Sequence, residues 1–169
     1  FAARRVAMVS DAMRHDVPGV HRIRRKATGI YNTIHLDKFH PSPDVDRPTP
    51  RDTVVITVAQ VCHRKGIDVL VEAARAVLEK RHDVVFWIVG RAGVGEEAFA
   101  DRMKQEVVRL GLGERVKFLG SRDDVSDLLR QADVYFFPTR AEPFGIALVE
   151  AMASGLPVVA TRVGGIGEI

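Results

Sequence analysis

The chain has 169 residues, of which 46% are hydrophobic and 28% charged, and its formal net charge is +3. This length is enough for one domain with a substantial apolar core, and the composition is that of a globular protein. No apolar run approaches the roughly 20 residues that a membrane-spanning helix needs, so no transmembrane segment is predicted. The single cysteine, Cys62, excludes an internal disulfide and predicts a reducing compartment, the cytoplasm by default.

The charge is unevenly distributed along the chain. Residues 1–50 hold 9 Lys and Arg against 5 Asp and Glu, whereas residues 51–169 hold 16 against 17. The densest basic stretch, residues 21–26, is either a solvated face or a surface for peripheral contact with an anionic membrane. No aromatic residue interleaves it, so stacking on nucleic-acid bases is not expected and no nucleic-acid partner is predicted.

Before residue 53 the sequence carries two short apolar segments and a proline-rich stretch. The apolar segments are residues 5–10 and 29–34, with a polar stretch between them. Pro41, Pro43, Pro48 and Pro50 follow within ten residues, and so many positions without an N–H group exclude a helix or an inner strand. Residues 41–52 are therefore predicted to form a linker.

From residue 53 onward, apolar strands alternate with amphipathic helices. Continuous β-branched or aromatic runs predict buried parallel strands, and apolar residues at helical spacing predict the helices. The predicted strands are Val54–Val58, Val84–Val89, Val116–Leu119, Val134–Phe137 and Pro157–Thr161. The predicted helices are Gly66–Lys80, Glu96–Leu110, Asp123–Gln131 and one that begins near Phe144. This alternation predicts an α/β fold, a doubly wound, Rossmann-like parallel sheet with right-handed crossovers.

The expected strand order brings two polar loops together. If the five strands lie in the common order 3-2-1-4-5, the loops that leave the first and fourth strands meet at the topological switch point, where ligands bind in this architecture. These loops are residues 60–65, which end at Lys65, and residues 138–142, which end at Glu142. The sequence therefore predicts a ligand site between Lys65 and Glu142.

The helix predicted near Phe144 has the features of an anion site. The first N–H groups of a helix lack partners within the helix and carry a partial positive charge, so an anion can dock there. Gly145 would let a phosphate come close to the backbone. Glu142 precedes this helix start and Glu150 follows it by about two turns, so two hydrogen-bond acceptors flank a place suited to phosphate. The combination suits a sugar joined to a nucleoside diphosphate.

These residues also carry a family resemblance. Glu142 and Glu150 at a gap of seven residues, framed by Pro-Phe-Gly and followed by a Gly164-Gly165 pair, resemble the donor-site signature of family 4 glycosyltransferases. The resemblance extends at lower density over nearly the whole chain, through residues 30–35, 64–66 and 116–120. It implies a retaining enzyme of the GT-B fold that moves a sugar from a nucleoside-diphosphate-sugar to an acceptor.

The resemblance also implies a domain organisation. Residues 1–40 would end the N-terminal acceptor domain, residues 41–52 would be the linker, and residues 53–169 would be most of the C-terminal nucleotide-sugar-binding domain. The chain would then be a fragment truncated at both ends and inactive by itself. The donor would be a UDP-, GDP- or ADP-sugar, and neither the base nor the acceptor is predicted, although base contacts are expected from the backbone of residues 120–124.

Site residues are carried over from the family motif position by position. Lys65 would face the diphosphate and Glu142 the donor sugar near the reacting carbon, and these two are the candidate catalytic residues. The candidate donor-binding residues are Gln60, Phe144, Gly145, Ile146 and Glu150, the last of these at the ribose hydroxyls. Gln60 stands where the family usually carries an arginine, so the charge-assisted part of one phosphate contact would be lost. The Gly164-Gly165 pair would be either a tight turn or a backbone surface near the donor.

Two other functions remain possible besides glycosyl transfer. A GT-B sugar-nucleotide epimerase would release free sugar nucleotide, and a non-catalytic sugar-nucleotide-binding module would only bind it. The glycine-rich residues 90–95 do not have the dinucleotide-binding spacing and are predicted to be a loop. The residues Asp44-Val45-Asp46 imitate a metal-binding motif but lie in the proline-rich stretch, and the six histidines show no ligand spacing. No metal site or cofactor is predicted.

Overall fold

A computed structural model describes residues 6–13, 26–42 and 52–169. Its main feature is a five-stranded parallel sheet made of β3 (Thr53–Val58), β4 (Val84–Val89), β5 (Val116–Gly120), β6 (Val134–Phe137) and β7 (Val158–Ala160). The strands lie in the order β5-β4-β3-β6-β7. This confirms the predicted order 3-2-1-4-5 and places the switch point between β3 and β6.

Helices cover both faces of the sheet. They are α1 (Ile67–Leu78), α2 (Glu97–Arg109), α3 (Val125–Gln131) and α4 (Ile146–Ala153). One apolar core joins α1 and α2 to residues such as Phe86 and Ile88, and a second joins α3 and α4 to residues such as Ile56 and Tyr135. Because successive residues of a strand point to opposite faces, continuous apolar strands supply both cores at once. The doubly wound α/β prediction is confirmed.

The element boundaries differ from prediction by one to two residues, except at the strands 84–89 and 134–137, which match. The first helix of the sheet domain begins at Ile67 because Gly66 adopts the left-handed conformation with φ 70° and caps it. The second runs over Glu97–Arg109, and the third begins at Val125 instead of Asp123. The last begins at Ile146, two residues later than predicted.

A small separate sheet precedes the main one. Its strands β1 (Val6–Met8) and β2 (Ala27–Gly29) pair in parallel. The second apolar segment of the sequence, residues 29–34, overlaps β2 only at Gly29. Residues 30–35 have no regular secondary structure. Most of the basic stretch 21–26, most of the predicted linker, and the Asp44-Val45-Asp46 motif lie outside the described residues.

Candidate functional site

The loops that follow β3 and β6 are joined directly at the switch point. The N–H of Arg140 donates to the carbonyl oxygen of Arg64 at 2.9 Å, and the hydroxyl of Thr139 donates to the same oxygen at 3.1 Å. The Arg64 guanidinium returns a hydrogen bond to the carbonyl oxygen of Ala141 at 3.3 Å. These bonds tie the 3-10 turn His63–Lys65 to the loop that carries Glu142.

Gly66 allows the two loops to pack backbone against backbone. A Cβ atom at this position would lie 1.9 Å from the carbonyl oxygen of Pro138, well inside any real contact distance. Its φ of 70° is a second reason for glycine, since other residues rarely adopt the left-handed region. Gly66 therefore brings Lys65 to the end of β6.

Lys65 and Glu142 form an ion pair at the meeting point of the loops. Their side chains are only 13% and 11% exposed, so both charges are largely removed from water. The Lys65 ammonium also lies 5.3 Å from the centre of the Phe137 ring, within cation–π distance. A pair this buried depends on both partners, because removing one leaves an uncompensated charge. The two residues predicted to converge are thus brought into contact.

The start of α4 borders the same place. The cap residue Gly145 has φ 107° and ψ 49°, so it lies outside the helix, which corrects the prediction of a helix that starts near Phe144 and includes Gly145. The left-handed glycine turns the chain into the helix, and this conformation delays the helix start to Ile146. Among the described residues, the N–H groups of Ile146 and Ala147 have no hydrogen-bond acceptor. Two donors at the positive end of the helix are therefore available.

The backbone of the Gly164-Gly165 pair packs directly against the loop that carries Glu142. A Cβ on Gly164 would lie 2.1 Å from the carbonyl oxygen of Glu142, and one on Gly165 would lie 2.3 Å from that of Pro143. The N–H of Gly165 donates to the Glu142 carbonyl oxygen at 2.9 Å. The pair opens the 3-10 helix Gly164–Glu168, and it packs on the loop beside the site, so neither residue tolerates a side chain.

A cleft of about 320 Å³ opens over these groups. It is lined by the ends of β3 and β6, by the two joined loops, and by the start of α4. Its lining includes Gln60, Lys65 and Glu142 together with residues 143–147. Val9 and Asn32 also line it, and both belong to the N-terminal segment, which is residues 6–13 and 26–42. Six of the seven predicted site residues therefore share one cleft, and its volume lies within the range of small-molecule sites.

Glu150 is the predicted site residue that does not line this cleft. It lies on α4 and is partly buried. Burial raises the pKa of its carboxyl, and the nearby cation of Lys38 opposes that rise. Among the described residues Glu150 makes no ion pair, so its partial burial is unfavourable for the fold; such perturbed carboxyls are common at binding sites.

A second cavity lies beside the first, at the ends of β4 and β5. Its volume is about 400 Å³, and its lining includes Gly90, Arg91, Phe118 and Gly120. Val61 and Ala92, which form an isolated bridge, both line this second cavity, whereas Gln60, next to Val61, lines the first. Together the cavities follow the carboxyl edge of the sheet from β6 to β5.

Sequence reasoning missed the residues that hold the site in place. Arg140 makes a two-bond ion pair with Asp68 of α1, at 2.7 and 2.8 Å, and donates to the carbonyl oxygen of His63 at 2.8 Å. These hydrogen bonds hold the pKa of Asp68 below its ordinary value. Gly66 is the one detectable signal, since a glycine directly after Lys65 and before a helix predicts a left-handed cap.

Two features are absent from the part of the chain that the structure describes. No helix there combines the length and apolar composition that crossing a membrane requires. Likewise, no three His, Cys, Asp or Glu side chains in that part of the chain come together as ligands for a metal ion.

Comparison with protein families identifies the chain. The family model described as "Glycosyl transferases group 1" matches residues 43–169, which is most of the chain and includes the cleft apart from Val9 and Asn32. The chain belongs to this family. The resemblance inferred from Glu142, Glu150 and their surroundings is thereby confirmed at the level of the family.

Curated relatives of this family member carry transferase names. A lipopolysaccharide core biosynthesis mannosyltransferase, LpsB of Rhizobium meliloti, is 38% identical over 148 residues, which cover 84% of this chain and 42% of LpsB. A D-inositol 3-phosphate glycosyltransferase of a Mycobacterium species is 35% identical over 147 residues, covering 78% of this chain and 33% of that enzyme. The chain therefore spans less than half the length of these relatives.

Solved structures show the same fold. Anabaena Alr3699/HepE, solved in complex with UDP and glucose, matches with a TM-score of 0.86 and 30% identity, covering 98% of this chain and 46% of HepE. The same protein with UDP-glucose matches with a TM-score of 0.85. WaaG, a glycosyltransferase involved in lipopolysaccharide biosynthesis, matches with a TM-score of 0.76 and 26% identity. The group 1 chain thus has the fold of about half of a GT-B glycosyltransferase.

Proposed function

We propose that the protein is a retaining, family 4-like glycosyltransferase that moves a sugar from a nucleoside-diphosphate-sugar to an acceptor. The observation that supports this most strongly is the cleft at the switch point, which Lys65 lines together with Ile146 and Ala147, whose N–H groups have no acceptor among the described residues. Such a pairing stabilises an anion without a metal ion. Relatives named as mannosyltransferases and a neighbour solved with UDP-glucose support a nucleotide-sugar donor.

In the proposed donor complex, the diphosphate lies between Lys65 and the N–H groups of Ile146 and Ala147. Gln60, at the rim of the cleft, contributes a neutral hydrogen bond. The ribose reaches Glu150, and the base extends toward the second cavity and the backbone after Gly120. Glu142 meets the sugar near the reacting carbon. Lys65 then serves two anions, the carboxylate of Glu142 and the diphosphate.

The proposed reaction keeps the configuration of the sugar. The bond from the anomeric carbon to the diphosphate breaks, and the acceptor hydroxyl forms the new bond on the same face. The acceptor proton passes to the departing phosphate oxygen, so no base from the protein is needed. Lys65 and the helix N–H groups stabilise the negative charge that grows on the leaving group, which is where electrostatic catalysis has its largest effect.

Transfer by the full-length protein tests this proposal. We expect wild-type protein to transfer label from UDP-glucose, GDP-mannose or ADP-glucose to a panel of lipid-linked and soluble acceptors, and Lys65→Ala to lower kcat/KM by about 100-fold or more. Nuclear magnetic resonance of the product should show the configuration of the donor. Inverted product would contradict the retaining mechanism, and release of an isomerised sugar nucleotide without transfer would favour an epimerase.

We further propose that the protein acts in the cytoplasm, at the surface of an anionic membrane. The support is the basic stretch 21–26, whose lysine and arginine side chains would each contribute about 1 kcal/mol near such a surface. Sedimentation with vesicles of neutral or anionic lipid tests it. Binding to anionic vesicles that 0.5 M salt abolishes is expected, and equal binding to both lipids would contradict it.

A further inference from the structure

The carboxylate of Glu168 joins the two ends of the described chain. It accepts the backbone N–H of Asp11 at 3.0 Å, the backbone N–H of Ala12 at 2.6 Å, and the hydroxyl of Tyr31 at 3.0 Å. Asp11 and Ala12 follow β1, whereas Glu168 ends the 3-10 helix that begins at the Gly164-Gly165 pair. The Glu168 side chain thus links two parts of the N-terminal segment to the 3-10 helix Gly164–Glu168, whose first two residues pack against the Glu142 loop.

The groups held by Glu168 are neighbours of the cleft. Val9 lies two residues before Asp11, Asn32 directly follows Tyr31, and both line the cleft. The Tyr31 ring also lies 5.9 Å from the Phe144 ring, at an interplanar angle of 31°. Phe144 is next to the cap residue of α4. The three hydrogen bonds of Glu168 therefore hold residues that are next to, or two positions from, this part of the cleft lining.

The contact is specific to a carboxylate. Two backbone donors and one hydroxyl converge on two oxygen atoms, and hydrogen bonds to an ionised group are about twice as strong as neutral ones. Partial desolvation and the Asp11 carboxylate both oppose the negative charge of Glu168. Even so, the N–H of Asp11 is the main reason why the pKa of Glu168 lies below its ordinary value. The arrangement favours the ionised form.

From this geometry we infer that Glu168 is a positioning residue for donor binding: it holds the N-terminal segment in the place where Val9 and Asn32 complete the cleft. The part of this inference that concerns the donor rests on the proposed function. The part that concerns the attachment of the segment does not, because it follows from the contacts alone.

The experiment compares four full-length variants with the wild type. Glu168→Ala removes all three bonds, Glu168→Gln keeps one accepting oxygen, and Tyr31→Phe removes one bond but keeps the ring. Glu114→Ala is the matched control, because that glutamate side chain is 97% exposed and lies before β5. Two quantities are measured: hydrogen–deuterium exchange of the peptide containing residues 6–13, and calorimetric affinity for UDP, GDP and ADP.

For Glu168→Ala we expect exchange at residues 11 and 12 to become about tenfold faster or more, and diphosphate affinity to fall about tenfold. Glu168→Gln and Tyr31→Phe should give smaller changes in both quantities, and Glu114→Ala none. Unchanged exchange in Glu168→Ala would overturn the attachment. Faster exchange with unchanged affinity would overturn the positioning role. If wild-type protein binds none of the three nucleotides, the proposed donor site is wrong, and exchange alone decides on the attachment.

Discussion

The two walls of the cleft are built in different ways. The wall formed by the loops after β3 and β6 is packed backbone against backbone, with Gly66 on Pro138 and Gly164 on Glu142 at distances that exclude a Cβ atom. The wall formed by the N-terminal segment is attached chiefly through the exposed hydrogen bonds of Glu168 and through the exposed ring of Tyr31, which packs against the buried ring of Phe144.

This difference indicates that the two walls have different roles, one in holding charged groups and the other in allowing movement. Close backbone packing holds charged groups within the tolerance that chemistry requires, and interiors of this density give way only at a large cost in free energy. Contacts at an exposed surface, by contrast, open at low free energy. We therefore expect the wall that carries Lys65 and Glu142 to be rigid, and the wall formed by the N-terminal segment to be the one that moves when the proposed donor enters or leaves.

The largest expected effect is on the rigid wall, at Gly66. Gly66→Ala combines a left-handed backbone with a clash against Pro138, so we expect it to lower the free energy of unfolding by about 3 kcal/mol or more. Gly111→Ala is the matched control, because its φ of 69° is nearly the same and nothing lies within 4 Å of the added Cβ. That control should cost about 1–2 kcal/mol. If urea denaturation shows that both variants lose the same free energy of unfolding, the close packing of Gly66 on Pro138 does not hold the two loops together.

The ion pair gives the next effect. Glu142→Gln leaves the Lys65 charge without its partner, and we expect about 2 kcal/mol of destabilisation. The same change removes a negative charge beside the proposed diphosphate, so UDP should bind about tenfold tighter, a difference of about 1.4 kcal/mol, although transfer falls. Weaker UDP binding in a folded Glu142→Gln protein would contradict the sharing of Lys65 between the two anions.

Glu150 is expected to lower the stability of the fold and to strengthen the binding of UDP. Burial raises the pKa of its carboxyl, so the ionised form disfavours the fold and stability declines as pH rises through the ordinary carboxyl range. Glu150→Gln should therefore stabilise the fold by a few tenths of a kcal/mol and weaken UDP binding about tenfold.

Comparing UDP with 2′-deoxy-UDP isolates the ribose contact of Glu150. The wild type should prefer UDP, and Glu150→Gln should lose most of that preference. If Glu150→Gln keeps the preference for UDP, Glu150 does not bind the ribose. Val149→Ala, on the same helix, is the control for a general disturbance of α4 and should keep the preference.

The smallest expected effect concerns the ion pair of Arg140 with Asp68. Because the folded pKa of Asp68 lies below its unfolded value, the pair contributes stability above the unfolded pKa and loses it as pH falls through the folded pKa. Both side chains are about a third exposed, so the contribution should stay below about 1 kcal/mol. Asp68→Asn should be less stable than the wild type at pH 7, and the gap should close below about pH 4. A gap that does not change with pH would contradict this.

The sequence predicted the sheet well because its strands are continuous apolar runs buried on both faces, as at 84–89 and 134–137. The switch point followed from the strand order, and it correctly brought Lys65 and Glu142 together. The start of α4 was wrong by two residues because the left-handed conformation of Gly145 is a property of the folded loop. The Glu168 contact was not predicted, because it joins residues 137 or more positions apart and leaves no local periodic signal.

The central claim, that the cleft beside α4 binds a nucleoside diphosphate through Lys65, is tested most directly by calorimetry on full-length protein. UDP, GDP and ADP are titrated into the wild type, Lys65→Ala and the control Lys80→Ala, whose lysine is exposed beyond the end of α1. We expect at least one nucleotide to bind the wild type and Lys80→Ala equally, and to bind Lys65→Ala about 10- to 150-fold more weakly. Equal affinity in all three proteins would contradict the account.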